Sequence, residues 1–141
     1  MTSNDTSSNI ITRKLVPENR RVAISSAVFG LDYIRFESVV FNMASNLSSS
    51  YNGGYWSMFQ LSNGGFYLAP SSDKPFHVVC ENGFEGQLTA DAYGIVTCMY
   101  ALSHLSFGGD QLAEICASQF HLVRDFALEH SESAGIFLAV D

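Results

Sequence analysis

The sequence predicts an α+β fold: a small antiparallel β-meander of about three to four strands, with helices packed before and after it in one compact domain. Three observations predict it. Apolar residues recur at steps of three and four on both sides of a central region, the spacing of one helical face. Between them lie three turn signals, Asn52-Gly53-Gly54, Asn63-Gly64-Gly65 and Asn82-Gly83. Asn-Gly tolerates the positive φ angles of tight hairpin turns, so each has a mechanism. The connections between the short apolar runs are brief, which joins antiparallel neighbours.

The polar segment Met1 to Asn9 contains no apolar stretch of the kind found in secretory leaders. Residues 1–15 are expected to form a loosely ordered tail, and residues 16–141 the domain. Pro17 suits the first position of a helix over about residues 17–28, with Glu18 and Asn19 in its first turn and Gly30 near its end. Tyr33, Phe36, Val40, Met43 and Leu47 form the apolar face of a second helix beginning near Asp32. Tyr55 to Leu61 reads as a strand, reversed at Asn63-Gly64-Gly65 into Phe66 to Ala69. Pro70 is expected to end that strand, because proline cannot donate to a ladder. Phe76 to Cys80 and Phe84 to Leu88 give two more strands around Glu81-Asn82-Gly83.

Thr89 is a good N-cap, and Asp91 falls in the first turn, where the helix dipole favours a carboxylate. That helix runs to about Leu105. Asp110 caps the next, whose core stripe is Leu112, Ile115, Gln119, Leu122, Val123 and Phe126. Ser131 and Glu132 start a last helix through Ile136 and Leu138.

The chain has 141 residues, 47% hydrophobic and 15% charged. This is the composition of a globular domain, long enough to build a core without staples. Cys80, Cys98 and Cys116 are an odd number without a C-x-x-C pair, which points to reduced buried thiols. No apolar run reaches the length of a membrane span. A cytoplasmic protein without membrane contact is therefore expected.

The net charge is −7. Residues 1–40 carry a net +1 and residues 41–141 a net −8. Such a body repels nucleic acid, and no direct nucleic-acid binding is expected. Arg13, Lys14, Arg20 and Arg21 are read as a solvated helix start in preference to a phosphate contact. DNA mimicry is quantitatively weak. A domain of this size is about 37 Å across, and duplex DNA of that length carries about twenty-two charges. This chain has fourteen carboxylates against seven cations. A local acidic patch is the form in which mimicry survives.

Four histidines and three cysteines show no zinc spacing. Cys98 and His104 stand on different helical faces, as do Cys116 and His121. His121 and Asp125 are an i, i+4 pair. They form either a general base with its orienting carboxylate or an ordinary surface pair of about 0.3–0.5 kcal/mol, and the second reading is preferred. Ser103 and His104 point apart on one helix. The Gly-Gly pairs follow Asn in turns and open no helix, which argues against a phosphate-cradling loop. No catalytic residue, cofactor or metal is expected.

Alternation places Tyr55, Ser57, Phe59 and Leu61 on one face of their strand, and Trp56, Met58 and Gln60 on the other. Phe59 and Leu61 are expected to face the helices, leaving Trp56 and Met58 on the open face. Trp56 and Tyr51 are then candidates for a partner contact. Glu85, Asp91, Glu129 and Asp141 are the candidate acidic contacts, with dipole complementation as the structural alternative for Asp91.

Tyr51-Asn52-Gly53-Gly54-Tyr55-Trp56, followed by Leu61-Ser62-Asn63-Gly64-Gly65-Phe66-Tyr67-Leu68-Ala69-Pro70, resembles the central signature of the KlcA/ArdB-type antirestriction proteins. Further blocks resemble that family in the same order: Leu88-Thr89-Ala90-Asp91-Ala92 running on to Gly94-Ile95-Val96, Tyr100-Ala101-Leu102-Ser103-His104-Leu105-Ser106-Phe107, and Arg124-Asp125-Phe126-Ala127-Leu128-Glu129-His130. The resemblance covers roughly residues 16–141. It departs from the family pattern in the first 15 residues and near 71–82. It implies a small protein of plasmids or other mobile elements that protects incoming DNA from type I restriction enzymes. The expected partners are subunits of the restriction enzyme or a host factor regulating them, met by a monomer or weak homodimer. The alternatives are an acidic DNA mimic and, behind it, a small hydrolase-type enzyme.

Overall fold

The computed structural model describes residues 10–141. The expected tail therefore lies outside the described residues over its first nine positions. Its end departs from expectation. Arg13–Leu15 forms strand β1, antiparallel to Trp56–Leu61 (β2) in the register Arg13↔Leu61. The Val16 N–H reaches the Met58 carbonyl and the Ser62 N–H the Thr12 carbonyl, both at 2.9 Å. All three β1 residues are exposed. An edge strand carrying Arg13 and Lys14 reads as tail because edges are kept charged.

Five α-helices follow the chain among the described residues: α1 (Arg21–Phe29), α2 (Tyr33–Leu47), α3 (Ala90–Ser106), α4 (Gln111–Leu128) and α5 (Ser133–Val140). A 3-10 turn at Glu18–Arg20 opens α1, and Gly30 closes it at φ +61°. Thr89 caps α3 by accepting the Ala92 N–H, and Asp110 caps α4 by accepting the Ala113 N–H at 3.0 Å. The α+β expectation holds, as one compact domain.

The strands form two sheets instead of one meander. β1, β2 and β3 (Phe66–Pro70) make the first; β4 (Phe76–Val79) and β5 (Glu85–Leu88) make the second. The two hairpin turns are built alike. Leu61 and Cys80 each donate their N–H across a three-residue loop, to Gly65 O at 2.8 Å and Phe84 O at 2.9 Å. Gly64 and Gly83 take the positive φ that closes such loops, +98° and +97°. Each Asn then reaches a helix: Asn63 Nδ2 donates to the Leu122 carbonyl on α4, and Asn82 Nδ2 to the Leu138 and Ala139 carbonyls of α5. Those last carbonyls have no partner within their own helix.

Pro70 stays inside β3, opposite Trp56. The Leu61–Gly65 bond sets the alternation of the ladder, and at 56/70 the N–H would face away from β2. No ladder bond is lost there.

α3 is apolar on all sides and lies at the centre of the fold, with twelve of its residues buried. It crosses β3 at Gly94, where an added Cβ would stand 2.5 Å from both the Ala69 Cα and the Leu68 carbonyl oxygen. It also covers the free edge of β3. The Leu68 N–H donates to Cys98 Sγ at 3.3 Å, and that thiol donates back to the Leu68 carbonyl at 3.5 Å.

Leu61 is buried as expected, but the open face expected for Trp56 and Met58 does not exist. Trp56 is 3% exposed and Met58 fully buried, while Phe59 is half-buried. β2 and β3 are covered on both faces. Phe66 packs on Phe29 and Phe36 of the first two helices, and Phe41 meets the Trp56 ring edge-on at 5.5 Å. On the other face Tyr67 stacks between Phe59 and Phe126 of α4. Alternation fixes which residues share a face but not which layer that face meets.

Candidate functional site

The densest cluster of ionisable side chains surrounds Asp91, in the first turn of α3. Its Oδ1 accepts from Arg13 Nη1 and from the Tyr67 hydroxyl, both at 2.7 Å. Its Oδ2 accepts from His130 Nε2, also at 2.7 Å. Arg13 Nη1 donates to the Tyr67 hydroxyl at 3.1 Å, and its guanidinium lies 4.1 Å from the Phe59 ring centroid. One carboxylate thus joins β1, β3, α3 and the α4–α5 connection.

The imidazole is fixed from its other side. Glu132 N–H donates to His130 Nδ1 at 2.9 Å. Nδ1 is therefore an acceptor, and the geometry assigns the neutral tautomer with the proton on Nε2. Glu132 itself turns to Thr89, taking its N–H at 3.0 Å and its hydroxyl. That is why α5 starts at Ser133 without a side-chain cap from Glu132.

Burial acts to raise the Asp91 pKa. The hydrogen bonds from His130 and Tyr67 and the Arg13 charge outweigh it, so the carboxyl is held below its ordinary value. Burial and the Asp91 bond push the Tyr67 hydroxyl far up, and it stays protonated. Both imidazole nitrogens are engaged, so His130 keeps no free lone pair to take a proton from a substrate. The cluster is a clasp.

The other sequence candidates are dispersed. Tyr51 and Trp56 do meet, with Trp56 Nε1 donating to the Tyr51 hydroxyl at 3.2 Å and the rings edge-on at 5.7 Å. Tyr93 and Phe41 complete that cluster. Trp56 is thereby a core residue, and its expected place on an open face is overturned. Glu85 is exposed on β5 and contacts His77 Nε2 at 2.9 Å across the hairpin. Glu129 and Asp141 are exposed, and neither makes an ion pair among the described residues.

His121 and Asp125 make no hydrogen bond or ion pair with each other among the described residues. The His121 ring lies edge-on to Phe120 instead. Cys98 is fully buried, and burial pushes its pKa up to about 12. A thiol of that kind is not a nucleophile near neutral pH. Among the described residues, no group of three or more His, Cys, Asp or Glu is placed to hold a metal ion. No described helix is long and apolar enough to cross a membrane.

Sequence reasoning missed Tyr67 and His130 and assigned Arg13 to a solvated helix start. The clasp joins positions 24, 39 and 78 residues apart, a separation at which local pattern carries no signal.

Two clefts flank the loop after β3. One, of about 360 Å³, lies between the Asn52-Gly53-Gly54 loop and the Ser71–Pro75 segment. The other, of about 270 Å³, reaches from Ser71 to Arg13 and Asp91. They share Pro70, Ser71 and Ser72, so the clasp opens onto the same surface as the Asn-Gly-Gly loop.

Comparison with known proteins follows the same elements. Residues 49–141 match the sequence model of a family described as antirestriction protein. An antirestriction protein KlcA of Escherichia coli is 39% identical over 132 residues, 89% of this chain and 90% of that protein. The putative antirestriction protein YubI of Escherichia coli strain K12 is 30% identical over 89% of this chain and 93% of its own length. The uncharacterized protein YafX of the same strain is 28% identical over 89% and 85%. In three dimensions the chain is similar to a solved structure from the work on KlcA and ArdB, with a TM-score of 0.87, 35% identity and 100% of both chains covered. The KlcA and ArdB proteins are described there as having a novel fold and antirestriction activity against type I DNA restriction systems in vivo but not in vitro.

Proposed function

This chain belongs to the antirestriction protein family, and we propose that it protects incoming plasmid or phage DNA by lowering the activity of type I restriction-modification enzymes. It acts as an interaction protein, without turning over a substrate, and through a cellular component beyond the restriction enzyme itself. The observation that carries this reading is the full-length likeness to the KlcA and ArdB structure, at a TM-score of 0.87, together with the activity described for those proteins in vivo but not in vitro. A protein that works in cells and not on purified components needs something the purified reaction lacks.

The side-chain chemistry supports a non-catalytic role. The His130 imidazole offers no free base, and the Cys98 thiol is sealed against Leu68. The partner-facing residues of this reading are the exposed carboxylates Glu85, Glu129 and Asp141. Tyr51, Trp56 and Asp91 act beneath the surface, by holding its shape. A DNA mimic is less well supported. Asp91, Asp110, Glu18 and Glu132 are each engaged by other groups of the protein, which leaves fewer charges to display.

The test is the plating of unmodified phage on cells carrying a type I system, with and without the protein. Restriction falls in the cells that express it. Unchanged plating across several type I systems contradicts the reading.

A further inference from the structure

We infer that Asn52 is a site of covalent modification: of the three Asn-Gly pairs in the chain, the fold leaves this one free to close on the following amide, lose ammonia and become aspartate or isoaspartate. The antirestriction reading does not use this chemistry, and the inference stands apart from it.

The reaction needs two freedoms. The amide nitrogen of the residue after Asn gives its proton to a solvent base and attacks the Asn Cγ. A bond forms between them, the bond from Cγ to Nδ2 breaks, and ammonia leaves from a five-membered succinimide. Water then opens the ring at either carbonyl. The Asn side chain must therefore be able to swing onto the next amide, and that N–H must be unbonded. A following glycine is favourable because it has no Cβ to crowd the attack.

The pairs Asn52-Gly53, Asn63-Gly64 and Asn82-Gly83 are alike in sequence and unlike in structure. Asn63 Nδ2 donates to the Leu122 carbonyl, and its Oδ1 accepts the Gly65 N–H at 3.0 Å. Asn82 Nδ2 donates to the Leu138 and Ala139 carbonyls, and its Oδ1 accepts the Phe84 N–H at 3.0 Å. The attacking amides are held as well: the Gly64 N–H bonds Leu61 O and the Gly83 N–H bonds Cys80 O, both at 3.1 Å. At both pairs all of these bonds must open together before the ring can form.

Asn52 has none of these restraints. It is exposed, and among the described residues neither its side chain nor the Gly53 N–H makes a hydrogen bond. A Cβ at Gly53 would meet nothing within 4 Å, so the space around the attacking nitrogen is open. Ring opening adds one carboxylate to a chain of net charge −7, at the rim of the cleft that the Asn52-Gly53-Gly54 loop lines. The isoaspartyl product also lengthens the backbone by one methylene there.

The experiment ages the full chain at physiological temperature in mildly alkaline buffer. Tandem mass spectrometry follows the three asparagines, and labelling by a protein isoaspartyl methyltransferase reads the isoaspartate. Asn52 converts at least about tenfold faster than Asn63 or Asn82, the effect of several hydrogen bonds that must open at those two sites. Asn52→Gln abolishes the methyl labelling of the aged folded protein. In guanidinium chloride the three sites of the unfolded parent chain converge to similar rates. Asn63 or Asn82 converting as fast as Asn52 in the folded protein overturns the inference. So does an Asn52 that stays intact when folded and converts when unfolded, or a preference for Asn52 that persists in the unfolded chain.

Discussion

Asp91 and His130 hold each other at 2.7 Å across 39 residues of chain, and the imidazole is locked into that contact by the backbone of Glu132 on its far side. The pair resembles a base and its orienting carboxylate, yet its second nitrogen is spent inside the fold. Its consequence is mechanical: strand β1, strand β3, helix α3 and the α4–α5 connection are tied at one carboxylate.

Asp91→Ala leaves three donors without their acceptor and destabilises the protein by about 2–3 kcal/mol in urea unfolding. His130→Ala costs about 1–2 kcal/mol. The double variant costs less than the sum, because both changes break one cluster.

The same clasp sets an acid limit. Asp91 is held below its ordinary carboxyl pKa in the folded state. The folded protein therefore binds fewer protons than the unfolded chain as pH falls below the ordinary carboxyl range of about 4. Its contribution is present above that range and lost as pH falls through the folded pKa. Unfolding measured from pH 6 downward shows stability falling more gradually in Asp91→Asn than in the parent protein, because that variant has already lost the titrating group.

At the β3 edge, Cys98→Ala strips the Leu68 N–H and carbonyl of their buried partner and costs about 2 kcal/mol. Cys98→Ser keeps a donor and an acceptor there and costs less. Protection in cells survives Cys98→Ser, since the thiol bonds the backbone and performs no chemistry. Loss of protection by a stably folded Cys98→Ser protein returns the enzyme reading.

Gly94→Ala drives a methyl group into the Ala69 and Leu68 backbone at 2.5 Å and destabilises by about 3 kcal/mol, read as a fall in Tm.

On the surface, Glu129→Lys and Asp141→Lys change stability by less than about 0.5 kcal/mol. They lower protection in the plating assay. Wild-type protection by the double variant removes these two carboxylates from the interface.

The readable parts of this chain were those written locally. Thr89 and Asp110 announce the helices they cap, and Asn63-Gly64 and Asn82-Gly83 announce hairpins, because capping and positive φ are properties of a few adjacent residues. What those turns also do was not readable. The Asn63 and Asn82 amides each dock on a helix more than fifty residues away. β1 hid behind the charges that protect an edge. Trp56 reads as solvent-facing because alternation distinguishes two faces without naming their neighbours. The clasp was legible only at Asp91, where helix-dipole reasoning placed a carboxylate correctly and gave no hint of Arg13, Tyr67 or His130.

The most direct test is cleavage of unmodified DNA by a purified type I restriction enzyme, with this protein added alone and with it added alongside extract of cells in which it protects. The account predicts undiminished cleavage in the purified mixture and inhibition once the extract is present. Inhibition by the protein alone, relieved by excess DNA, contradicts it and makes the protein a direct competitor for the enzyme's DNA channel.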